Sequence, residues 1–390
     1  MEQHISIRGR TARKMVKVAN HMPILGHKAQ NGELRARLSE HEKLWECPEH
    51  LMLTVIDMHL FKMELLQRRI ASAANGDENN EDTLDTLDVS ADNVDEESDD
   101  NLKDDHIKQK SAEIKFQEAE TEAAGIDDNK EHSEKIESVY EIDDKNVIND
   151  TLPTQNERGI IIQLHGGGYY GKLHNTYRDM AGLYNELSQG FDVLSVDYRV
   201  APDNPYPAAL DDAVAAYEWA LKRDYPKENI FVVGDSAGGG LALALCLYLR
   251  DHNIQMPAGI ITMSAWTDLT KSGESYEEKF DIDPIFGGSI DTLVYKEGYY
   301  RENDPEDPYI SPVNGDYTGF PPMLMQVGEY EMLLSDTMTV AEKAKQAGVS
   351  VKEHIYPGMF HVFQMGLTRY PESKEAWVEI GKFFRYVRKM

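Results

Sequence analysis

The chain has 390 residues, 69 of them acidic and 40 basic, for a formal net charge of −29. That length can bury a full core and allows one large domain or two smaller ones. Such an acidic surface repels phosphates, which argues against nucleic acid as a partner, and no apolar run reaches the roughly 18 residues a membrane span needs.

Residues 1–26 carry Arg8, Arg10, Arg13, Lys14 and Lys17 but no continuous apolar stretch, so a secretory signal is not expected. Short helices are predicted at 11–19 and 32–44. Pro48 stops whatever precedes it. Residues 51–57 are largely apolar, and residues 61–65 alternate apolar and polar, which suits a half-buried strand. Two strands are predicted here. A single helix over 51–70 competes, because Leu, Met and Glu favour helix.

The acidity is concentrated in residues 75–150, which hold 27 acids against 7 bases. Apolar residues are too sparse there to offset the entropy of ordering the chain. A disordered acidic insertion is expected, with at most a transient helix at 107–124. A solvated spacer is the default reading and a docking tail the functional alternative.

From residue 159 onward strand and helix alternate. Strands are predicted at 160–164, 192–198, 230–233, 260–263, 323–327 and 351–356, and helices at 178–188, 207–223, 237–251 and 335–348. This rhythm implies a mostly parallel sheet with helices on both faces. Residues 270–320, rich in Gly, Asp, Pro and Tyr, interrupt it and are expected to contribute to a lid. Of the two cysteines, Cys246 sits in an apolar helical run, so a buried thiol is expected rather than a disulfide, and a cytoplasmic protein fits best.

Two runs carry the chemistry. Gly234-Asp235-Ser236-Ala237-Gly238 matches G-x-S-x-G between an apolar strand and an apolar helix. Its glycines allow a tight turn that presents Ser236 as a nucleophile near the positive end of the following helix. The bland alternative, an ordinary glycine-rich turn, is weakened by that context. His165-Gly166-Gly167-Gly168 lacks both the G-x-G-x-x-G spacing and the lysine of a phosphate loop. Its backbone N–H groups, from Gly166 and Gly167, are instead expected to form an oxyanion pocket together with Ala237. His165 reads as a structural hydrogen-bonder.

Among 13 histidines, His361 lies in a loop after the last strand, where the chain order serine, acid, histidine places the base. The acid must follow residues 323–327, where Glu329, Glu331 and Asp336 all qualify. Spacing alone does not choose among them. Tyr169 and Tyr170, with the tyrosines of 270–310, are expected to shape a compact acyl pocket, though aromatics of this kind equally often fill a core.

Over residues 155–390, and more weakly over 33–70, the chain resembles the hormone-sensitive-lipase-like branch of the α/β-hydrolases, the fold-3 esterases. The carriers are Leu164–Gly168, Asp197-Tyr198-Arg199-Val200-Ala201-Pro202, Pro205–Ala209, Gly234–Gly239, Ser264-Ala265-Trp266-Thr267-Asp268-Leu269, Asp307–Pro312 and the His361 loop. The resemblance implies an α/β fold, with a mostly parallel central sheet flanked by helices and a helical cap. It puts Glu331 in the acid role, with Asp336 as the alternative; many relatives carry Asp there, so Glu331 is one methylene longer.

It also implies a layout: cap helices over 1–46, the first strands over 47–72, the acidic insertion over 73–155, and the hydrolase domain over 156–390 with a cap segment near 270–310. Lengthening the loop from about five to about eighty residues costs only about 2.4 kcal/mol of closure entropy. The implied activity is a serine carboxylesterase acting on short-chain, acetyl-like esters, with no cofactor or metal. An amidase or formamidase, or a non-catalytic small-molecule binding protein on the same fold, are the alternatives.

Overall fold

The computed structural model describes residues 46–68, 158–289 and 297–390. The helices expected at 11–19, 32–44 and 107–124, and the acidic insertion, lie outside the described residues.

Eight strands form one sheet in the order β1-β2-β4-β3-β5-β6-β7-β8. They are β1 (Leu51–Asp57), β2 (Lys62–Arg68), β3 (Ile160–Leu164), β4 (Asp192–Asp197), β5 (Ile230–Asp235), β6 (Gly259–Met263), β7 (Met323–Gly328) and β8 (Val351–Tyr356). The first pair forms an antiparallel hairpin with Leu51 opposite Arg68, so residues 51–68 are strand and not helix. Strand β2 also runs antiparallel to β4, whereas all remaining neighbours are parallel.

The central strands are apolar throughout because both faces are covered. Along β3, Ile160, Ile162 and Leu164 point into one core and Ile161 into the other. Strand β5 repeats the pattern, with Ile230 and Val232 on one face and Phe231 and Val233 on the opposite face. Each such side chain contributes about 1.5–3 kcal/mol by leaving water.

Helices α1 (Asn175–Leu187), α2 (Ala208–Leu221), α3 (Ser236–Asp251), α4 (Leu334–Gln346) and α5 (Pro371–Val387) cover the sheet. α1 and α5 share one core, to which they bring Tyr177, Met180, Tyr184, Trp377, Ile380 and Phe384. α2 and the almost fully buried α3 build the core on the other face. Helix α5 was not among the predicted elements. Pro371 at its start and apolar residues at 376, 377, 380, 383, 384 and 387 are its signature, a stripe at helical spacing.

One feature of the topology positions the site. Strand β3 lies between β4 and β5; the connection leaving β3 runs toward β4 and that leaving β5 runs toward β6, so the two diverge to opposite sides. In open α/β sheets the crevice outside the carboxyl ends of such strands is where ligands bind. The glycine run follows β3, and Ser236 follows β5.

Candidate active site

Ser236 is the first residue of α3 and holds φ of 51°, a left-handed conformation that costs a non-glycine residue about 1–3 kcal/mol. Its neighbours enforce it. A Cβ on Gly234 would run into the Gly238 carbonyl, and one on Gly238 into the Leu164 carbonyl of β3. Strand, helix and adjacent strand therefore close on one another only with glycine at both positions. The Trp266 N–H, donating to the Ser236 carbonyl at 2.8 Å, fixes the turn from the β6 side.

Three side chains from three loops meet here. Ser236 Oγ lies 2.9 Å from His361 Nε2, and His361 Nδ1 lies 3.0 Å from Glu331 Oε2. Glu331 is fully buried, and its Oε1 accepts from Ser264 Oγ at 2.7 Å and from the Gly328 N–H at 2.5 Å. The loops that carry Glu331 and His361 are joined directly. Tyr330 N–H donates to the Met359 carbonyl at 2.9 Å, and Gly358 N–H to Glu329 Oε2 at 2.7 Å.

Glu329 thus fastens the loops, and Asp336 is occupied elsewhere. Its Oδ2 accepts the Thr267 and Asp268 N–H groups at 2.7 and 2.8 Å, and it makes no hydrogen bond to His361. Burial, and then the nearby Asp268, push its carboxyl well above the usual range. Of the three candidate acids, the geometry joins only Glu331 to the imidazole.

The glycine run departs from expectation at Gly166. Its N–H donates to Tyr177 Oη at 2.8 Å and to Asp235 Oδ1 at 3.2 Å, so it is not free for an oxyanion. The Tyr177 hydroxyl in turn donates to Asp235 Oδ2 at 3.1 Å. Beyond this clamp the chain turns sharply: Gly167 has φ of 104°, and its carbonyl accepts from the N–H groups of Tyr170 and Gly171 at 3.0 and 2.8 Å. Among the described residues the N–H groups of Gly167 and Gly168 have no acceptor. Ala237 lies in the first turn of α3, where N–H groups have no intrahelical acceptor.

His165 is fully buried, with Nδ1 2.8 Å from the Gly166 carbonyl and its ring stacked on Tyr198. Burial holds its imidazole down to about 3, which suits a neutral structural ring.

Tyr169 corrects a second expectation. It is 1 % exposed and stacks on Tyr299 with ring centroids 3.6 Å apart, so it fills the core and does not line an open pocket. Tyr276 and Tyr299 are likewise buried. Tyr170 is half-buried and hydrogen-bonds to the backbone at Gly298. Among the described residues, the aromatic ring packed against the catalytic imidazole is Phe286, whose centroid lies 4.6 Å from that of His361. Asp283 holds it there, accepting the N–H groups of Phe286 and Ile285 on Oδ1 and that of Met332, next to Glu331, on Oδ2.

Tyr177 and Phe286 carry no sequence signal, because each reaches the site from an element with no chemical motif of its own, and Ser264 stands out only as part of the run 264–269 that carries the resemblance, with no role attached. Among the described residues no group of three or more His, Cys, Asp or Glu side chains could hold a metal ion, and no helix is long and apolar enough to cross a membrane.

Residues 161–365 match the family model of the alpha/beta hydrolase fold. The chain is 35 % identical over 233 residues to an acetyl-hydrolase of Streptomyces hygroscopicus, covering 60 % of this chain and 77 % of that protein. It is 38 % identical over 226 residues to an esterase of Acinetobacter venetianus, covering 57 % and 74 % respectively. Among solved structures, a hormone-sensitive lipase from a metagenome library superposes with a TM-score of 0.67 at 26 % identity, covering 99 % of each chain. The lipase homologue EstE7, also metagenomic, gives 0.68 at 25 % identity over the full length of both. The chain belongs to the α/β-hydrolase fold family and, within it, to the esterases related to hormone-sensitive lipase.

Proposed function

We propose that the protein is a serine carboxylesterase that hydrolyses small, short-chain acyl esters through an acyl-enzyme. The continuous line of hydrogen bonds from Ser236 Oγ through His361 to Glu331 carries this reading. Ser236 attacks the ester carbonyl while His361 Nε2 takes its proton, and Glu331 holds the imidazole in the tautomer that leaves Nε2 basic. The imidazolium then protonates the departing alkoxide. Water, deprotonated by the same nitrogen, attacks the acyl-enzyme and restores Ser236.

The oxyanion receives N–H groups from Gly167, Gly168 and Ala237. Gly168 takes the place expected for Gly166, whose N–H is bound to Tyr177 and Asp235. Each donor contributes about 3–4 kcal/mol to the transition state. The similarity to an acetyl-hydrolase supports an acetyl-like substrate. The free thiols of Cys47 and Cys246 fit a reducing, cytoplasmic setting.

Ser236→Ala should lower kcat/KM for p-nitrophenyl acetate by about 10⁴-fold or more, with little change in Tm. Substantial turnover by the pure variant would overturn the assignment. Turnover of an aryl formamide exceeding that of p-nitrophenyl acetate would favour an amidase. An acyl series from C2 to C12 should peak at the short end.

A further inference from the structure

Ser264 lies one residue beyond β6 and is 0 % exposed. It holds φ of 50°, the left-handed region that disfavours a residue with a Cβ. Its N–H donates to the Gln326 carbonyl of β7 at 2.7 Å, which fixes the backbone at the end of the sheet. From that fixed point its hydroxyl does two things at once. It donates to Glu331 Oε1 at 2.7 Å and accepts the N–H of Val362, the residue after His361, at 3.0 Å. One oxygen therefore touches both the acid and the backbone next to the base.

The arrangement answers a geometric problem. A glutamate has one more rotatable bond than an aspartate, so its carboxylate needs more anchoring to keep one oxygen on the imidazole. Glu331 Oε1 has two anchors. The Gly328 N–H comes from its own loop, and only Ser264 comes from a different strand. Val362 also holds φ of 47°, so the turn that aims His361 is itself strained and is tied down at that residue by the same hydroxyl. The hydroxyl cannot rotate away without releasing either the carboxylate or the His361 turn.

We propose that Ser264 is a positioning residue for the ester hydrolysis, its hydroxyl holding the Glu331 carboxylate and the His361 turn in register for proton transfer. The proposal rests on the assignment of Ser236, His361 and Glu331 made above. Ser264 touches neither substrate nor nucleophile, so its removal acts on kcat and leaves substrate binding in place.

The test compares two substitutions that remove the same hydroxyl with opposite effects on the backbone. Ser264→Ala keeps the unfavourable left-handed residue, whereas Ser264→Gly relieves it. The full-length variants are assayed with p-nitrophenyl acetate alongside Ser236→Ala, with Tm measured and the downfield proton resonance of His361 Nδ1–H recorded. Both Ser264 variants should lose kcat by about tenfold or more with KM within about threefold, and the resonance should weaken or vanish. Ser264→Gly should melt above Ser264→Ala despite equal loss of turnover. Placed on Glu331→Gln, Ser264→Gly should lower kcat by less than about threefold further, because the two side chains act as one unit.

A Ser264→Gly enzyme that loses less than about tenfold in kcat overturns the proposal, as does a loss confined to Ser264→Ala that follows its Tm. So does a full further tenfold loss on the Glu331→Gln background. If Ser264→Ala does not fold, Ser264→Gly alone carries the test. Residual turnover in Ser236→Ala would instead remove the triad on which the proposal stands, so the two failures are told apart.

Discussion

The nucleophile turn and the two loops opposite it reach the same reacting centre by opposite routes. At 234–238 the tightest constraints are steric and close at hand: glycines that admit no Cβ, a serine in a left-handed conformation, and a neighbouring strand in van der Waals contact. The loops at 328–336 and 357–363 meet at a close approach too, at Gly328 against the Met359 backbone, but they are held to one another and to β6 chiefly by hydrogen bonds with distant partners. Tyr330 is joined to Met359, Gly358 to Glu329, and both loops to Ser264. The turn should therefore break when atoms are added, and the loops when a polar partner is taken away.

Among the loop residues the largest effect is expected at Glu331. Glu331→Gln should lower kcat for p-nitrophenyl acetate by about 10³-fold, because an amide cannot stabilise the imidazolium as a carboxylate does. Asp336→Asn, a matched change five residues along the chain, should alter kcat less than about threefold. Its oxygen accepts two backbone N–H groups, and an amide oxygen can do the same. Steady-state kinetics of the two variants decide the point, and the reverse ranking would move the acid to Asp336.

Next comes the turn. A methyl on Gly238 meets the carbonyl oxygens of Leu164 and His165, both of them backbone atoms that cannot rotate aside. Gly238→Ala should cost about 3 kcal/mol of stability or prevent folding, seen as a depressed urea midpoint. Gly182→Ala on α1 is the contrast. Nothing lies within 4 Å of the added carbon, so the substitution should stabilise by about 0.5–1 kcal/mol. Equal effects at the two sites would mean that helix propensity, and not close approach, governs the turn.

The same contrast explains what could be read from sequence. Strand periods, the glycine-flanked serine and the histidine after the last strand are local patterns, and the structure reproduces the elements within a few residues. Three features were not local. The N–H of Gly166 is claimed by Tyr177, 11 positions away, and by Asp235, 69 positions away, so no reading of the glycine run alone could give its direction. Tyr169 looks like a pocket residue until Tyr299 stacks against it. Ser264, named in sequence only as part of a resemblance-carrying run, gains its contact with Glu331, 67 positions further on, when β6 and β7 bring the two together. Spacing alone does not choose among Glu329, Glu331 and Asp336, since all three follow β7; the family resemblance points to Glu331, and the coordinates add what faces each carboxylate.

Asp235 belongs to both regions, lying within the turn yet bonded at long range, and its effect is confined to a window of pH. Burial pushes its carboxyl up to about 7, against hydrogen bonds from Tyr177 and Gly166 and the attraction of His361, all of which favour the ionised form. A folded-state value above the unfolded one means that the folded protein holds this proton more tightly. Below about pH 4 both states are protonated and Asp235 contributes no pH dependence. Between about pH 4 and pH 7 the unfolded chain ionises first, so stability falls as pH rises, by at most about 1.4 kcal/mol per pH unit and roughly 4 kcal/mol in all. Above about pH 7 both states are ionised and the penalty is constant. Asp235→Asn cannot titrate, so the stability of the parent relative to this variant should decline steadily across that window and then level off. Urea midpoints of both proteins from pH 4.5 to pH 8 measure the difference directly. Parallel curves would mean that the Tyr177 and Gly166 hydrogen bonds outweigh burial and keep Asp235 ionised throughout, making the clamp on the glycine run insensitive to pH.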